Sequence, residues 1–297
     1  MVSPGILLVD KPAGMTSHDV VARTRRAFGT RKVGHAGTLD PMATGLLVIG
    51  IEGATRLLTY VVGADKTYVA TIRLGQTTGT DDADGEILTR ASPEAWTAVT
   101  TEAVAAGVAS LTGEISQIPS AVSAIKVDGR RAYDRVRAGE EVVLAAREVV
   151  VSRFEVLARR EGEGHLDLDV LVDCSSGTYI RALARDLGAM LGVGGHLTAL
   201  RRTRVGPFDV ADAVVLDDLD GAATLAPAEA AGRILQPLHV SNEEARDLRH
   251  GKRLGGQAQR LEGALAAAID DEGALVGIVE KRGADLKSAM NMPEAGR

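Results

Sequence analysis

The chain has 297 residues, 45% hydrophobic, 25% charged and only 3% aromatic, with a formal net charge of −6 at pH 7 that by itself argues mildly against a nucleic-acid partner. Length and apolar content suffice for one large core or a large and a small one, and no run of about 18 uncharged apolar residues is present to form a membrane-spanning helix. The single cysteine, Cys174, excludes an intramolecular disulfide framework and a thiol-built zinc site, and the N-terminus has none of the marks of a secretory leader, so a soluble cytoplasmic protein is expected.

The opening stretch GILLVDKPAGMTSHDVVARTRRAF starts with a short apolar strand, Ile6 to Val9, and a Lys-Pro-Ala-Gly turn. A helix follows, begun by the capping-box pair Thr16 and Asp19. Val20, Val21, Thr24 and Phe28 share one face of it, which leaves Arg23, Arg25 and Arg26 toward solvent or a ligand. With Arg31 and Lys32 they make a basic cluster, and others occur at Arg130, Arg131, Arg135, Arg137 and at Arg201, Arg202, Arg204. Such clusters suit a phosphate-binding surface and equally the solvated faces of helices. Tyr68 to Leu74 alternates as a strand, and Gln76 to Gly85, rich in Thr, Asp and Gly, reads as a loop. His165 to Cys174 is the clearest strand, with Leu166, Leu168, Val170 and Val172 on one face and Asp167, Asp169 and Asp173 among the alternates. Ser175 to Gly177 end it, and a helix carrying Ile180, Leu183, Ala184, Leu187 and Leu191 at helical spacing follows. Strands and helices mix without strict alternation, which predicts an α+β fold with a mixed or antiparallel central sheet. After about Asp217 the chain turns Ala-rich and acidic, and Pro237 opens a different texture, so a boundary is expected between a domain of residues 1–236 and one of 237–297. The second should carry a helix (Glu243 to His250), a basic turn (Gly251 to Arg253), strands at Ala264 to Ile269 and Ala274 to Val279, and a frayed polar tail.

The segment GHAGTLDPMATG, Gly34 to Gly45, surrounds one histidine and one aspartate with glycines and a proline. Pro41 restricts Asp40 to extended geometry, and the glycines permit backbone shapes or close approaches that side chains forbid. A loop so constrained positions something, although composition alone would also suit a plain tight turn at Asp40.

These motifs resemble the TruB family of tRNA pseudouridine synthases, which modify the T-loop uridine at tRNA position 55. The likeness runs from GILLVDKPAGMTS through GHAGTLDPMATG, KTYVATIRLGQTTGTDDADG, QIPSAVSAIKVDGRRAYDRVRAG and CSSGTYIRALARDLG to HLTALRRTRVGPF, roughly Gly5 to Phe208. It implies the pseudouridine synthase catalytic fold, with an RNA-clasping insertion at about 113–145, and a redox-neutral isomerisation that uses no cofactor and no metal. Asp40 matches the family nucleophile, and a carboxylate serves for covalent catalysis. Arg181 matches the arginine that pairs with it, as a carboxylate in a dry pocket needs a cation or hydrogen bonds to stay charged. A uridine in a folded T-loop must be flipped out, at a cost of a few kcal/mol, and stacking on an aromatic ring returns about 1–3 kcal/mol per base. Tyr68 matches the tyrosine that stacks on the base and handles a proton, Tyr179 and Leu200 match residues lining its pocket, and His35 matches the histidine that fills the place the nucleotide leaves. Lys11 and Lys66 are expected as phosphate contacts. Val122 stands where relatives carry a tyrosine, which puts one contact of the clasp in doubt.

The C-terminal stretches LHVSNEEARDLRHGKRL and AAIDDEGALVGIVEKRG are similar to a PUA-type RNA-binding β-domain, which implies a grip on tRNA through Arg249, Lys252 and Arg253, beside Arg25 and Arg26 on the first helix. The partner implied is the T-arm stem-loop of tRNA, with no membrane and no obligate protein partner, and with the enzyme a monomer. A non-catalytic tRNA-binding or RNA-folding module of the same fold is the main rival. A nucleotide-binding α/β enzyme ranks behind, since neither a GxxxxGK[ST] loop nor GxGxxG after a strand occurs.

Overall fold

The structure is a computed structural model that describes residues 2–120, 126–127, 130–131 and 144–293, with strand pairing alone described for 126–127 and 130–131. In chain order the strands are β1 (Gly5–Lys11), β2 (Val33–Ala36), β3 (Thr44–Ile51), β4 (Lys66–Leu74), β5 (Gln76–Thr78), β6 (Ile87–Arg90), β7 (Gly113–Gln117), β8 (Lys126–Val127), β9 (Arg130–Arg131), β10 (Arg147–Gly162), β11 (His165–Cys174), β12 (Gly195–Val205), β13 (Phe208–Asp209), β14 (Val214–Val215), β15 (Gln236–His239), β16 (Leu265–Ile269), β17 (Leu275–Arg282) and β18 (Asp285–Asn291). The helices are α1 (Ser17–Ala27), α2 (Leu58–Val62), α3 (Thr101–Ser110), α4 (Ile180–Met190), α5 (Pro227–Ile234) and α6 (Asn242–Arg249). The fold is α+β with mixed strand pairing and a small C-terminal β-sheet. No helix among the described residues is long and apolar enough to cross a membrane.

The chain forms two compact units. One takes the residues up to Pro41, Gly45–Gly63 and Val205 onward; the other takes Met42–Thr44 and Ala64–Arg204. In the first unit β1 lies between β3, antiparallel with Val9 opposite Leu47, and β14, parallel with Val9 opposite Val214, while β2 pairs with β3 so that His35 faces Ile49 across the ladder. β1 and β3 are buried almost throughout, as near-continuous apolar runs require. Helix α1 begins where the Thr16–Asp19 capping box predicts and buries Val20, Val21 and Thr24. The C-terminal sheet, ordered β15-β16-β17-β18, belongs to this unit as well, and Ala267, Leu275 and Ile278 share a core with Ile6, Leu8, Leu46 and Val48. Beyond the two strands expected here the chain adds strand β18, in which Leu286 is fully buried and Lys287 and Ser288 pair with Glu280 and Val279, while residues 294–297 of the polar tail lie outside the described residues.

In the second unit the order is β12-β4-β11-β10-β7. β4 alternates strictly, with Lys66, Tyr68, Ala70, Ile72 and Leu74 inward, and β11 buries Leu166, Leu168, Val170 and Val172 as its pattern predicts. The alternating aspartates of β11 meet partners directly opposite on β4: Asp167 accepts from Arg73, Asp169 from Thr71 and Asp173 from Thr67. Part of the stretch read as a loop after β4 is the β5–β6 hairpin.

Candidate active site

Asp40 lies half-buried in the turn between β2 and β3, and its two chain neighbours are both tied down. Leu39, 3% exposed, donates its N–H to Ser17 Oγ at 2.9 Å while that hydroxyl reaches the Leu39 carbonyl at 3.2 Å. The Pro41 carbonyl accepts from the Gly14 N–H at 2.9 Å and from Lys11 Nζ at 3.3 Å. Gly37, with φ of 89°, and Gly45, with φ of 101°, take left-handed backbone at the two ends of the turn, which side chains resist. The expectation that Lys11 touches phosphate is corrected. Its side chain is wholly buried and its ammonium also donates to the carbonyls of Pro12 and Met15, each at 2.8 Å, so it fastens the turn from below. His35 on β2 is half-buried and stands edge-on to His18 at a centroid distance of 5.5 Å. Arg23, Arg25 and Arg26 are exposed on α1, as its periodicity predicts, although Arg25 also donates to the Val33 carbonyl at 3.1 Å.

In the second unit Tyr68 sits on the inward face of β4 at 8% exposure, and Leu200 of β12 is equally buried. Lys66, two residues before Tyr68 on the same face, donates to the Ala64 carbonyl at 2.6 Å. Burial, with Arg202 next in importance, pulls its ammonium down to about 8. Arg202 is itself buried, so it is withdrawn from any phosphate surface, whereas Arg201 and Arg204 stay partly exposed. Cys174, opposite Lys66 in the ladder, is a buried thiol that burial pushes up to about 11.

Arg181, at the start of α4, is nearly inaccessible, and within its unit it donates to the Thr80 carbonyl at 2.8 Å and pairs with Asp82 at 3.3 Å. Asp82 is 4% exposed and held in turn: its carboxylate accepts from Thr80 Oγ1 and from the Asp84 N–H, and its carbonyl accepts from Thr78 Oγ1. In the sequence Asp82 is one acid among several of a polar Thr-, Asp- and Gly-rich stretch. The available signal was Arg181 itself, since an arginine expected in a dry site calls for a buried carboxylate nearby. Tyr179, half-buried, precedes α4, and its main-chain N–H and C=O both bond the side chain of Gln117.

The cations expected to grip RNA from helix α6 and the turn after it have acidic partners: Arg249 with buried Asp270 at 2.9 Å, Lys252 with Asp247 at 2.7 Å and Arg253 with Asp285 at 3.7 Å. Val122 and the side chains of Arg130, Arg131, Arg135 and Arg137 lie outside the described residues, as does most of the expected clasp. Among the described residues no three His, Cys, Asp or Glu side chains are grouped to hold a metal ion.

Two family models match this chain: TruB family pseudouridylate synthase (N terminal domain) over residues 25–180, and tRNA pseudouridylate synthase B C-terminal domain over residues 181–241. The chain belongs to the TruB family. It is 61% identical over 297 residues to the tRNA pseudouridine synthase B of Leifsonia xyli subsp. xyli, covering 99% of this chain and 98% of that protein. To the protein of the same name from Corynebacterium aurimucosum it is 58% identical over 285 residues, covering 95% and 94%. Among solved structures, a chain of an H/ACA RNP bound to a substrate RNA containing 2′-deoxyuridine superimposes with a TM-score of 0.71 at 26% identity, over 98% of this chain and 86% of that one. A chain of a Cbf5-Nop10-Gar1 complex gives 0.70 at 27% identity, over 98% and 84%. As a TruB member the chain is an enzyme, a pseudouridylate synthase, and its reaction class is isomerisation.

Proposed function

We propose that this TruB protein converts the T-loop uridine of tRNA to pseudouridine with Asp40 as nucleophile, acting without a protein partner. In that reaction the bond between ribose C1′ and base N1 breaks, the base turns, and C5 bonds to C1′. The proton leaves C5 and N1 gains one, so nothing is gained or lost overall. The observation that carries the reading is the clamped turn: the residues before and after Asp40 are fixed by Ser17, Gly14 and Lys11, which holds a carboxylate in place before substrate arrives. Such preorganisation is what covalent catalysis at a flipped base demands. Tyr68 offers its ring to the base, Tyr179 and Leu200 wall the pocket, and Arg181, paired with Asp82, supplies a cation. His35 fills the gap in the T-loop, and Arg25 and Arg26 meet phosphates from the exposed face of α1.

The test is tritium release from tRNA transcripts labelled at uridine C5, using purified chain alone, the Asp40→Asn variant, and a transcript lacking the T-loop uridine. Release by wild type only, and only from the intact T-loop, is expected, with tRNA affinity kept in the variant because phosphate contacts dominate binding. Tight tRNA binding by wild type without release would instead identify an RNA-binding module.

A further inference from the structure

We propose that Gln117 is a positioning residue for the isomerisation, acting through the main chain of Tyr179; this rests on the reading that Tyr179 walls the base pocket. Gln117 ends strand β7, at the point where the chain leaves the sheet toward residues 121–143, and it is 2% exposed. Its side-chain carbonyl accepts the Tyr179 N–H at 2.8 Å and its amide donates to the Tyr179 carbonyl at 3.1 Å. One side chain thus reproduces both bonds of a β-ladder pair, fixing a residue that itself lies outside any strand. A carboxamide is the side chain that offers both a donor and an acceptor side by side; a carboxylate only accepts, and a thioether does neither with strength.

The bond falls where small displacements matter. Tyr179 is the N-cap of α4, with φ of −103° and ψ of 108°, and no side chain of its own caps the helix. Two residues on stands Arg181, whose partners Thr80 and Asp82 leave it little slack. One turn further, Arg185 reaches back to the carbonyl of Ile118, the neighbour of Gln117, at 2.7 Å, and pairs with Asp81 at 3.4 Å. The dipeptide Gln117–Ile118 is therefore fastened to the first turn and a half of α4 from two sides. Gln117 sets where the Tyr179 ring starts from, and with it the pocket wall; Arg185 holds the same segment through the Ile118 carbonyl.

The experiment compares wild type, Gln117→Glu and Gln117→Met by single-turnover release from C5-tritiated tRNA, by tRNA dissociation constant, and by thermal midpoint. Gln117→Met, similar in length and lacking both bonds, should lower the single-turnover rate roughly 10- to 100-fold, the range that a displacement of about 1 Å produces. Its tRNA dissociation constant should stay within about threefold of wild type, because phosphate contacts set it. Gln117→Glu, which keeps the acceptor for the Tyr179 N–H, should fall between the two. Variants that release tritium at the wild-type rate well below their thermal midpoints would overturn the proposal and leave Gln117 a packing residue. So would a loss confined to tRNA affinity. A folded wild type that releases nothing would overturn the isomerase reading beneath it.

Discussion

Lys11 and Arg181 are both cations withdrawn from water. Lys11 donates to the main-chain carbonyls of Pro12, Met15 and Pro41, and Arg181 pairs with the Asp82 carboxylate. Lys11→Met should therefore loosen the Asp40 turn and reduce turnover about 10- to 100-fold with tRNA affinity nearly unchanged, whereas a lost phosphate contact would weaken binding and reduce its salt dependence. Parallel turnover and filter-binding measurements separate these outcomes. Lys66 gives a pH signature. Its folded value, about 8, lies below the ordinary 10.5, so between those values the unfolded chain binds more protons than the folded one and stability rises with pH on account of this group. In urea titrations across pH 8 to 10.5, the wild-type unfolding free energy should climb relative to that of Lys66→Met; a pH-independent difference would contradict the assignment. Asp40, Tyr68 and Arg181 stood out in the sequence because each lies in a recognisable motif. Asp82 and Gln117 did not, because a buried carboxylate and a buried carboxamide are spelled with the same letters as exposed ones, and only contacts from distant segments withdraw them from solvent.

At the scale of elements, α1, β11 and α4 were legible because each has one apolar face with clean periodicity and, for α1, a capping box. Strand β10 was not. Sixteen residues long and mostly exposed, it carries irregularities between Val151 and Arg153 and between Val156 and Ala158 that shift its alternation twice. The β5–β6 hairpin was hidden by its Thr- and Asp-rich composition, which favours turns when no partner strand is known. The junction of α4 with β12 depends on glycine for want of space. A Cβ on Gly188 would lie 2.1 Å from the Gly194 carbonyl carbon and 2.2 Å from the Gly195 nitrogen. Both contacts are with main chain, so no rotamer change relieves them. Gly188→Ala should cost about 1–3 kcal/mol, or more where the backbone resists, read as a lowered urea midpoint with unchanged slope.

For the whole molecule, the expected separation at residue 236 coincides with the first strand of the C-terminal sheet, yet that sheet lies in the same compact unit as β1 and β3. Ala267, Leu275 and Ile278 cover Ile6, Leu8, Leu46 and Val48, and composition could not reveal it, because apolar residues at both chain ends look alike whether they fill one core or two. Truncation after residue 235 should accordingly lower the thermal midpoint by roughly 10 °C, as loss of a few buried aliphatic side chains at about 1.5–3 kcal/mol each implies, beyond any loss in tRNA affinity. A truncated chain as heat-resistant as the parent would show that the two sheets are independent. The same shared core bears on synthesis. Ile6 exchanges main-chain hydrogen bonds with Leu225, Val9 pairs with Val214, and the C-terminal sheet arrives last of all. Folding begins as a chain emerges, N-terminal segments first. Here the segment bearing Asp40 leaves the ribosome early and waits for some two hundred residues before its core can close, while Ala64–Arg204 can fold in the interval. The turn that carries Asp40 is thus among the last parts of the chain to mature, and a nascent chain stalled short of its final strands would hold that turn on a core not yet closed.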